Sequence, residues 1–339
     1  MVEPDFTRFD TRALHAGQQP DPTTGSRAVP IHQTTSYVFD SVDHAAGLFN
    51  LEVSGHLYSR ISNPTVAVLE ERIAALEGGV GAVCTASGQA AEFLTAASLA
   101  GTGDNLVSSS TLYGGTHTMF DTTLGRFGIE ARFVDGDDPA AFEARIDDRT
   151  RFLYTEIIGN PSGSVADLAA LAEVAGAHDL PLVVDSTFAT PYLCRPMEHG
   201  AHIVVHSATK FIGGHGTTIG GVVVESGRFD WGSGRFPQMT EPAAGYNGLR
   251  FWENFGEYAF CTRLRAEQLR DVGASLSPFN AFLLLQGLET LPQRMDEHVA
   301  NAQAVAEFLD GHPAVSWVAY AGLEASPYHY LAKRYLPAG

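Results

Sequence analysis

The apolar positions of this chain switch repeatedly between two spacings. Over 66–76 they recur with the period of a helix; Asn63-Pro64 ahead of them offers an N-cap followed by proline at the first helical position, and Gly78-Gly79 closes the stretch. Short apolar runs then alternate with helix-like segments. Runs at 82–85, 105–108, 132–134, 152–158, 182–185, 202–206 and 221–224 read as strands, and 90–100 and 167–178 read as helices. Strands that alternate with helices predict a mostly parallel sheet covered on both faces, which is a three-layer α/β domain.

Both flanks depart from that rhythm. Residues 1–61 are rich in Pro, Thr, Gly and Ser without sustained periodicity, and predict an extended N-terminal arm of the kind that reaches a neighbouring subunit. A segment rich in Gly, Pro and aromatics covers about 226–256, and helices are predicted over 259–272, 281–291 and 295–309. The expected division is an arm at 1–61, a main domain at 62–275, and the start of a C-terminal domain at 276–339. Leu336-Pro337-Ala338-Gly339 reads as an interruption, and neither an internal repeat nor a low-complexity tail is evident.

Composition narrows the class. A chain of 339 residues with 45% hydrophobic and 18% charged residues and 35 glycines suits a globular α/β protein with one large core and smaller additions. The formal net charge of −18 disfavours nucleic acid or an anionic membrane as main partner. No apolar run has the length of a membrane span, and Met1-Val2-Glu3-Pro4-Asp5 lacks the basic and apolar regions of a signal peptide, so a cytoplasmic protein is expected. Cys84, Cys194 and Cys261 are too widely spaced for a disulfide framework or a zinc cluster and are expected to be structural thiols. No metal site is expected: HExxH is absent, and His202 and His206 bracket a strand, where an i, i+4 pair does not converge.

Candidate chemistry gathers where strands end. The run at 202–206 leads into Ser207-Ala208-Thr209-Lys210, and ligands of open α/β sheets bind beyond the carboxyl ends of strands. A desolvated lysine there is a neutral amine able to form a Schiff base with an aldehyde; the alternative is a solvated lysine closing a strand. The run at 182–185 ends in Asp185, whose carboxylate can keep a pyridine nitrogen protonated or simply cap a turn. Ser87-Gly88-Gln89 lies between a strand and a helix, a layout that turns backbone N–H groups toward a phosphate or forms a plain turn. Tyr113 can stack on an aromatic ring, and Arg60 in Tyr58-Ser59-Arg60 can grip a phosphate with paired donors; the alternative for each is ordinary packing or surface. Neither a Walker lysine pattern nor a full GxGxxG spacing occurs, which disfavours a nucleotide.

Together these segments resemble the Cys/Met-metabolism family of pyridoxal-phosphate enzymes. Its pattern runs Tyr-x-Arg-x-x-Asn-Pro-Thr, Ser-Gly, a Tyr-Gly-Gly turn, Val-Asp-Asn/Ser-Thr and Ser-x-Thr-Lys, and all five occur here in that order, from Tyr58-Ser59-Arg60-Ile61-Ser62-Asn63-Pro64-Thr65 onward. The resemblance covers essentially the whole chain. It implies the aspartate-aminotransferase-like fold (fold type I) with an N-terminal arm and an incomplete C-terminal α+β domain. It also implies pyridoxal 5'-phosphate as cofactor, held by Lys210, with Asp185 on the ring nitrogen and Tyr113 stacked on the ring. Ser87, Gly88, Gln89, Ser207 and Thr209 would then surround the phosphate, Tyr58 and Arg60 would reach the phosphate of a neighbouring subunit, and Asn160 would lie near the ring oxygen and the substrate carboxylate.

Within the family, His15-Ala16-Gly17-Gln18, Gln89, the stretch from Ser277-Pro278-Phe279-Asn280 to Gly287-Leu288-Glu289-Thr290, and Tyr246-Asn247-Gly248-Leu249 in a long 227–256 segment are similar to the branch acting on O-acetylhomoserine. The activity implied is γ-replacement: O-acetylhomoserine and sulfide, or a small thiol, give homocysteine or a thioether and acetate, as in methionine biosynthesis and trans-sulfuration. The alternatives are a cystathionine γ-synthase, a γ-lyase, or a cofactor-binding fragment without turnover. Similar enzymes continue past the position of Gly339 and there supply an arginine for the substrate carboxylate, so a fragment is expected. They are homo-oligomers, usually tetramers.

Overall fold

Short segments bounded by turns, most of them apolar, build a seven-stranded sheet: β1 Gly81–Thr85, β2 Asn105–Ser109, β3 Glu130–Val134, β4 Thr150–Glu156, β5 Leu182–Asp185, β6 Ile203–His206 and β7 Gly221–Glu225. This is a computed structural model, and it describes residues 7–136 and 138–337; Met1 to Asp5 and Ala338-Gly339 therefore lie outside the described residues. The strand order is β1-β7-β6-β5-β4-β2-β3. β2 to β6 pair in parallel, and β7 runs antiparallel to both β6 and β1. Six strands consequently share one direction and only β7 is reversed, the mostly parallel α/β architecture that the alternating pattern predicts.

Strand alternation sends side chains to two faces. Val83, Tyr154, Val183, Val205 and Val223 enter one buried cluster, and Cys84, Val184, Val204, Val222 and Val224 enter another. The first is covered by helix α4, which spans Gly88–Leu99 and turns Ala91, Leu94 and Leu99 inward. The second is covered by helix α3, Pro64–Glu77, through Leu69, Ile73 and Leu76. The α3 start matches its sequence signal: the Asn63 side chain accepts the Thr65 N–H at 3.0 Å, and Gly78 ends the helix in the left-handed region.

The N-terminal region is more structured than its composition suggests. Helices α1, Phe9–His15, and α2, Val42–Phe49, lie within it. α1 is tied to α3 because Arg72, itself buried, donates from Nε to the Ala16 carbonyl at 3.0 Å and from Nη2 to Gln18 at 2.8 Å. A helix at Gly114–Thr118, continued by a π-helical turn over Met119–Leu124, was also invisible to periodicity because it opens on two glycines and polar residues. The helices read over 281–291 and 295–309 are Pro278–Leu288 and Leu291–Asp310. Cys84, Cys194 and Cys261 are free and buried, and among the described residues no helix is long and apolar enough to cross a membrane.

Candidate active site

Because six strands point the same way, their carboxyl ends converge on one edge of the sheet. Glu156 is the register partner of Asp185 across β4 and β5, and Asp185 is that of Val205 across β5 and β6. The loops leaving these ends line a cavity of about 590 Å³. Ser87, Gly88, Gln89, Tyr113, Asn160, Asp185, Ser207, Thr209 and Lys210 all border it. Nine of the eleven residues expected from sequence are thereby brought together.

Tyr58 and Arg60 are not among them. They border a second cavity between the N-terminal region and the helical segment before Val272, where the Arg60 guanidinium lies 5.3 Å from the Tyr58 ring centre and donates to the Arg270 carbonyl.

Each wall of the first cavity has a local cause. At the start of α4, Ser87 caps the helix by accepting the Ala90 N–H at 3.1 Å, while the N–H groups of Gly88 and Gln89, which open the helix, have no intrahelical acceptor. A β-carbon added at Gly88 would lie 2.6 Å from the β-carbon of Ser207, so the two turns approach at a distance that only glycine permits. Ser207 is fixed in turn by its N–H, which donates to Thr187 Oγ1 at 2.8 Å, and Thr209 Oγ1 donates to the Gly220 carbonyl at 3.1 Å. Asp185 accepts the Thr187 N–H at 2.7 Å; burial pushes its carboxyl up, and the Thr187 bonds oppose that shift.

Several wall residues were not foreseen. Glu156 accepts the N–H groups of Tyr113 at 2.6 Å and Asn160 at 3.2 Å, holding two expected site residues from behind. Glu92, Thr187, Phe188 and His298 also line the cavity. Arg294 stands outside it but donates to the carbonyls of Phe211 at 2.7 Å and Ile212 at 3.3 Å, bracing the turn directly after Lys210. Local pattern does not reveal them: Glu156 lies inside the apolar run at 152–158, and Glu92 stands on a stripe of α4, with Ala91 and Thr95, whose burial shows only in the packed structure.

The donor set suits one flat anionic cofactor. Helix N–H groups and hydroxyls at 87–89 and 207–209 can meet a phosphate, Asp185 can meet a ring nitrogen, and Tyr113, about half exposed, offers an aromatic face. Lys210 supplies the amine in the same cavity. A mostly parallel α/β sheet with this lysine and this carboxylate at the carboxyl ends of its strands suits an enzyme that holds its cofactor through a lysine.

The comparisons with known proteins agree. Residues 10–339 match the family model described as Cys/Met metabolism PLP-dependent enzyme, and the chain belongs to that family. It is 55% identical over 334 residues to a homocysteine synthase of Schizosaccharomyces pombe, covering 98% of this chain and 78% of that protein. It is 51% identical to an O-acetyl-L-homoserine sulfhydrylase of Leptospira meyeri, covering 97% and 76%. A crystal structure from Campylobacter jejuni, provisionally named an O-acetylhomoserine (thiol)-lyase and carrying a pyridoxyl-lysine phosphate, superposes with a TM-score of 0.94 at 41% identity, covering 97% of this chain and 82% of that one. The metB structure from Corynebacterium glutamicum gives 0.83 at 33% identity, covering 98% and 77%.

Proposed function

We propose that this chain catalyses pyridoxal-phosphate-dependent γ-replacement, converting O-acetylhomoserine and sulfide, or a small thiol, to homocysteine or a thioether and acetate. One observation carries the reading: Lys210, Asp185, Tyr113 and the 87–89 turn border one cavity in a chain 55% identical to a homocysteine synthase. When bound, the cofactor supplies a protonated ring that accepts the electron pair left by a lost proton.

The residues divide that work. The Lys210 amine holds the cofactor, and once freed it moves protons at the α and β carbons of the substrate. Asp185 keeps the ring nitrogen protonated, and Tyr113 fixes the ring plane. Ser87, Gly88, Gln89, Ser207 and Thr209 hold the phosphate, and Asn160 orients the ring oxygen and the substrate carboxylate. Acetate leaves from the γ carbon and sulfide takes its position.

The same reading assigns 1–61 to an arm, 62–275 to the cofactor domain and 276–339 to the start of a C-terminal domain, in a cytoplasmic homotetramer. Tyr58 and Arg60 then serve the phosphate of a neighbouring subunit. That role is supported by their separation from the Lys210 cavity within one chain. Supplying O-acetylhomoserine with either sulfide or cysteine tests the choice of second substrate. Homocysteine from sulfide supports the reading, and cystathionine from cysteine alone would assign the chain to the synthase that joins the two amino acids.

A further inference from the structure

Three acids and a phenol share the face of the sheet that α4 covers. Tyr154 and Glu156 alternate to that face on β4, and Asp185 to the same face on β5, because they keep the parity of Tyr154 and Val183. Glu92 comes down on them from α4 and is only 3% exposed. The Tyr154 hydroxyl donates to Glu92 Oε1 at 2.7 Å, and the Glu92 and Asp185 side chains border one cavity, from α4 and from the end of β5. A phenol has one hydrogen to give, and here it goes to Glu92. A bond between the two carboxyls therefore needs a proton of its own.

The other charged groups around the pair are committed elsewhere or lie apart. Glu156 accepts the Tyr113 and Asn160 N–H groups. His206 on β6 points to the opposite face, where it meets Glu77 of α3 at 2.5 Å. Lys210 and His298 border the cavity from the loop after β6 and from the helix Leu291–Asp310. Two ionised carboxylates side by side in this buried space would repel strongly, and one proton between them removes the repulsion. Asp185 already receives the Thr187 N–H, which favours its charged form, whereas Glu92 is the more deeply enclosed of the two.

We propose that Glu92 is a positioning residue: it stays an uncharged carboxylic acid, donates its hydrogen to Asp185, and so aims the Asp185 carboxylate at the ring nitrogen of the cofactor. Burial first, and the Asp185 charge second, push Glu92 well above the ordinary carboxyl range, which agrees with this assignment. The role rests on Asp185 facing the ring nitrogen, as the proposed function has it.

Cofactor titrations of the purified full chain, followed by visible absorbance, test it. Glu92→Gln keeps an uncharged donor of the same shape, so the cofactor dissociation constant and the pH midpoint of the absorbance band stay within about twofold and about 0.3 pH units of the parent. Glu92→Leu removes the donor, weakens cofactor binding about tenfold and moves that midpoint. On an Asp185→Asn background Glu92→Leu has no further effect, since the group it aims is gone.

A Gln variant as damaged as Leu would mean that Glu92 acts as an anion and would overturn the proposal. So would an unaltered Leu variant. Thermal unfolding of each variant separates a misfolded chain from a folded one, and the isosteric Gln result decides even if Leu does not fold. If Asp185→Asn alone changes neither cofactor affinity nor turnover, the assignment of Asp185 fails, an outcome distinct from the failure of Glu92.

Discussion

The carboxylate of Glu156 accepts the backbone N–H of Tyr113 at 2.6 Å, joining the end of β4 to the loop that presents the tyrosine ring to the cavity. The same carboxylate accepts the Asn160 N–H at 3.2 Å. Glu156→Ala should release both loops and raise the cofactor dissociation constant by about tenfold or more, because each bond to a charged acceptor contributes roughly 1.5–3 kcal/mol. Titration of the apoprotein measures this; unchanged affinity in the variant would show that the two loops hold their positions without it.

Gly88→Ala addresses the opposite wall. A β-carbon there meets Ser207 at 2.6 Å, so α4 and the 207–209 turn must separate. Weaker cofactor binding, by about tenfold, is expected with only about 1 kcal/mol lost from folding, since the strain is local to the turn. Equal cofactor affinity for the two proteins would remove this turn from the phosphate seat.

Behind Ser207 lies a buried hydrogen-bonded pair of polar side chains. His206 and Glu77 have fully enclosed side chains 2.5 Å apart, on the sheet face away from the cavity. His206→Leu alone strands the Glu77 carboxyl and should cost ~3–5 kcal/mol in denaturant unfolding, whereas Glu77→Leu with His206→Leu should recover much of that loss. A double variant less stable than the single one would mean that the pair stabilises the fold outright.

Stability should also respond to pH through His202. Burial pushes this imidazole down from 6.5 to about 4, and its Nδ1 accepts the Leu182 N–H at 3.1 Å. Between those values the unfolded chain takes up a proton that the folded one refuses, so stability present above 6.5 is lost as pH falls toward 4. Glu225 acts in the opposite sense: burial pushes it up from 4.5 to about 7, and its contribution, complete below 4.5, is lost as pH rises through 7. Comparing the parent with His202→Asn isolates the histidine. From about pH 7.5 to about pH 5 the variant should gain about 2 kcal/mol relative to the parent, and parallel pH curves would contradict the assignment.

Much of this was legible in the chain, for identifiable reasons. β5 and α3 followed from uninterrupted periodicity with caps, and Lys210 and Asp185 stood out because each is a reactive group at the end of an apolar run. α1 escaped because it is short and is held by Arg72, a partner 56 residues from Ala16 that no local pattern reveals. Glu92 escaped for another reason: an acid within a helix is usually solvated, and only the packed sheet reveals that it faces inward. Tyr58 and Arg60 were visible only as a motif, because within one chain they line a different cavity.

The most direct test of the account is production of homocysteine by the purified chain supplied with pyridoxal phosphate, O-acetylhomoserine and sulfide, with Lys210→Ala beside it. Homocysteine from the parent and none from the variant, together with a cofactor absorbance that depends on Lys210, is the predicted result. Equal homocysteine production by the two proteins would contradict the role given to Lys210, and none from a parent that binds the cofactor through Lys210 would contradict the γ-replacement reading.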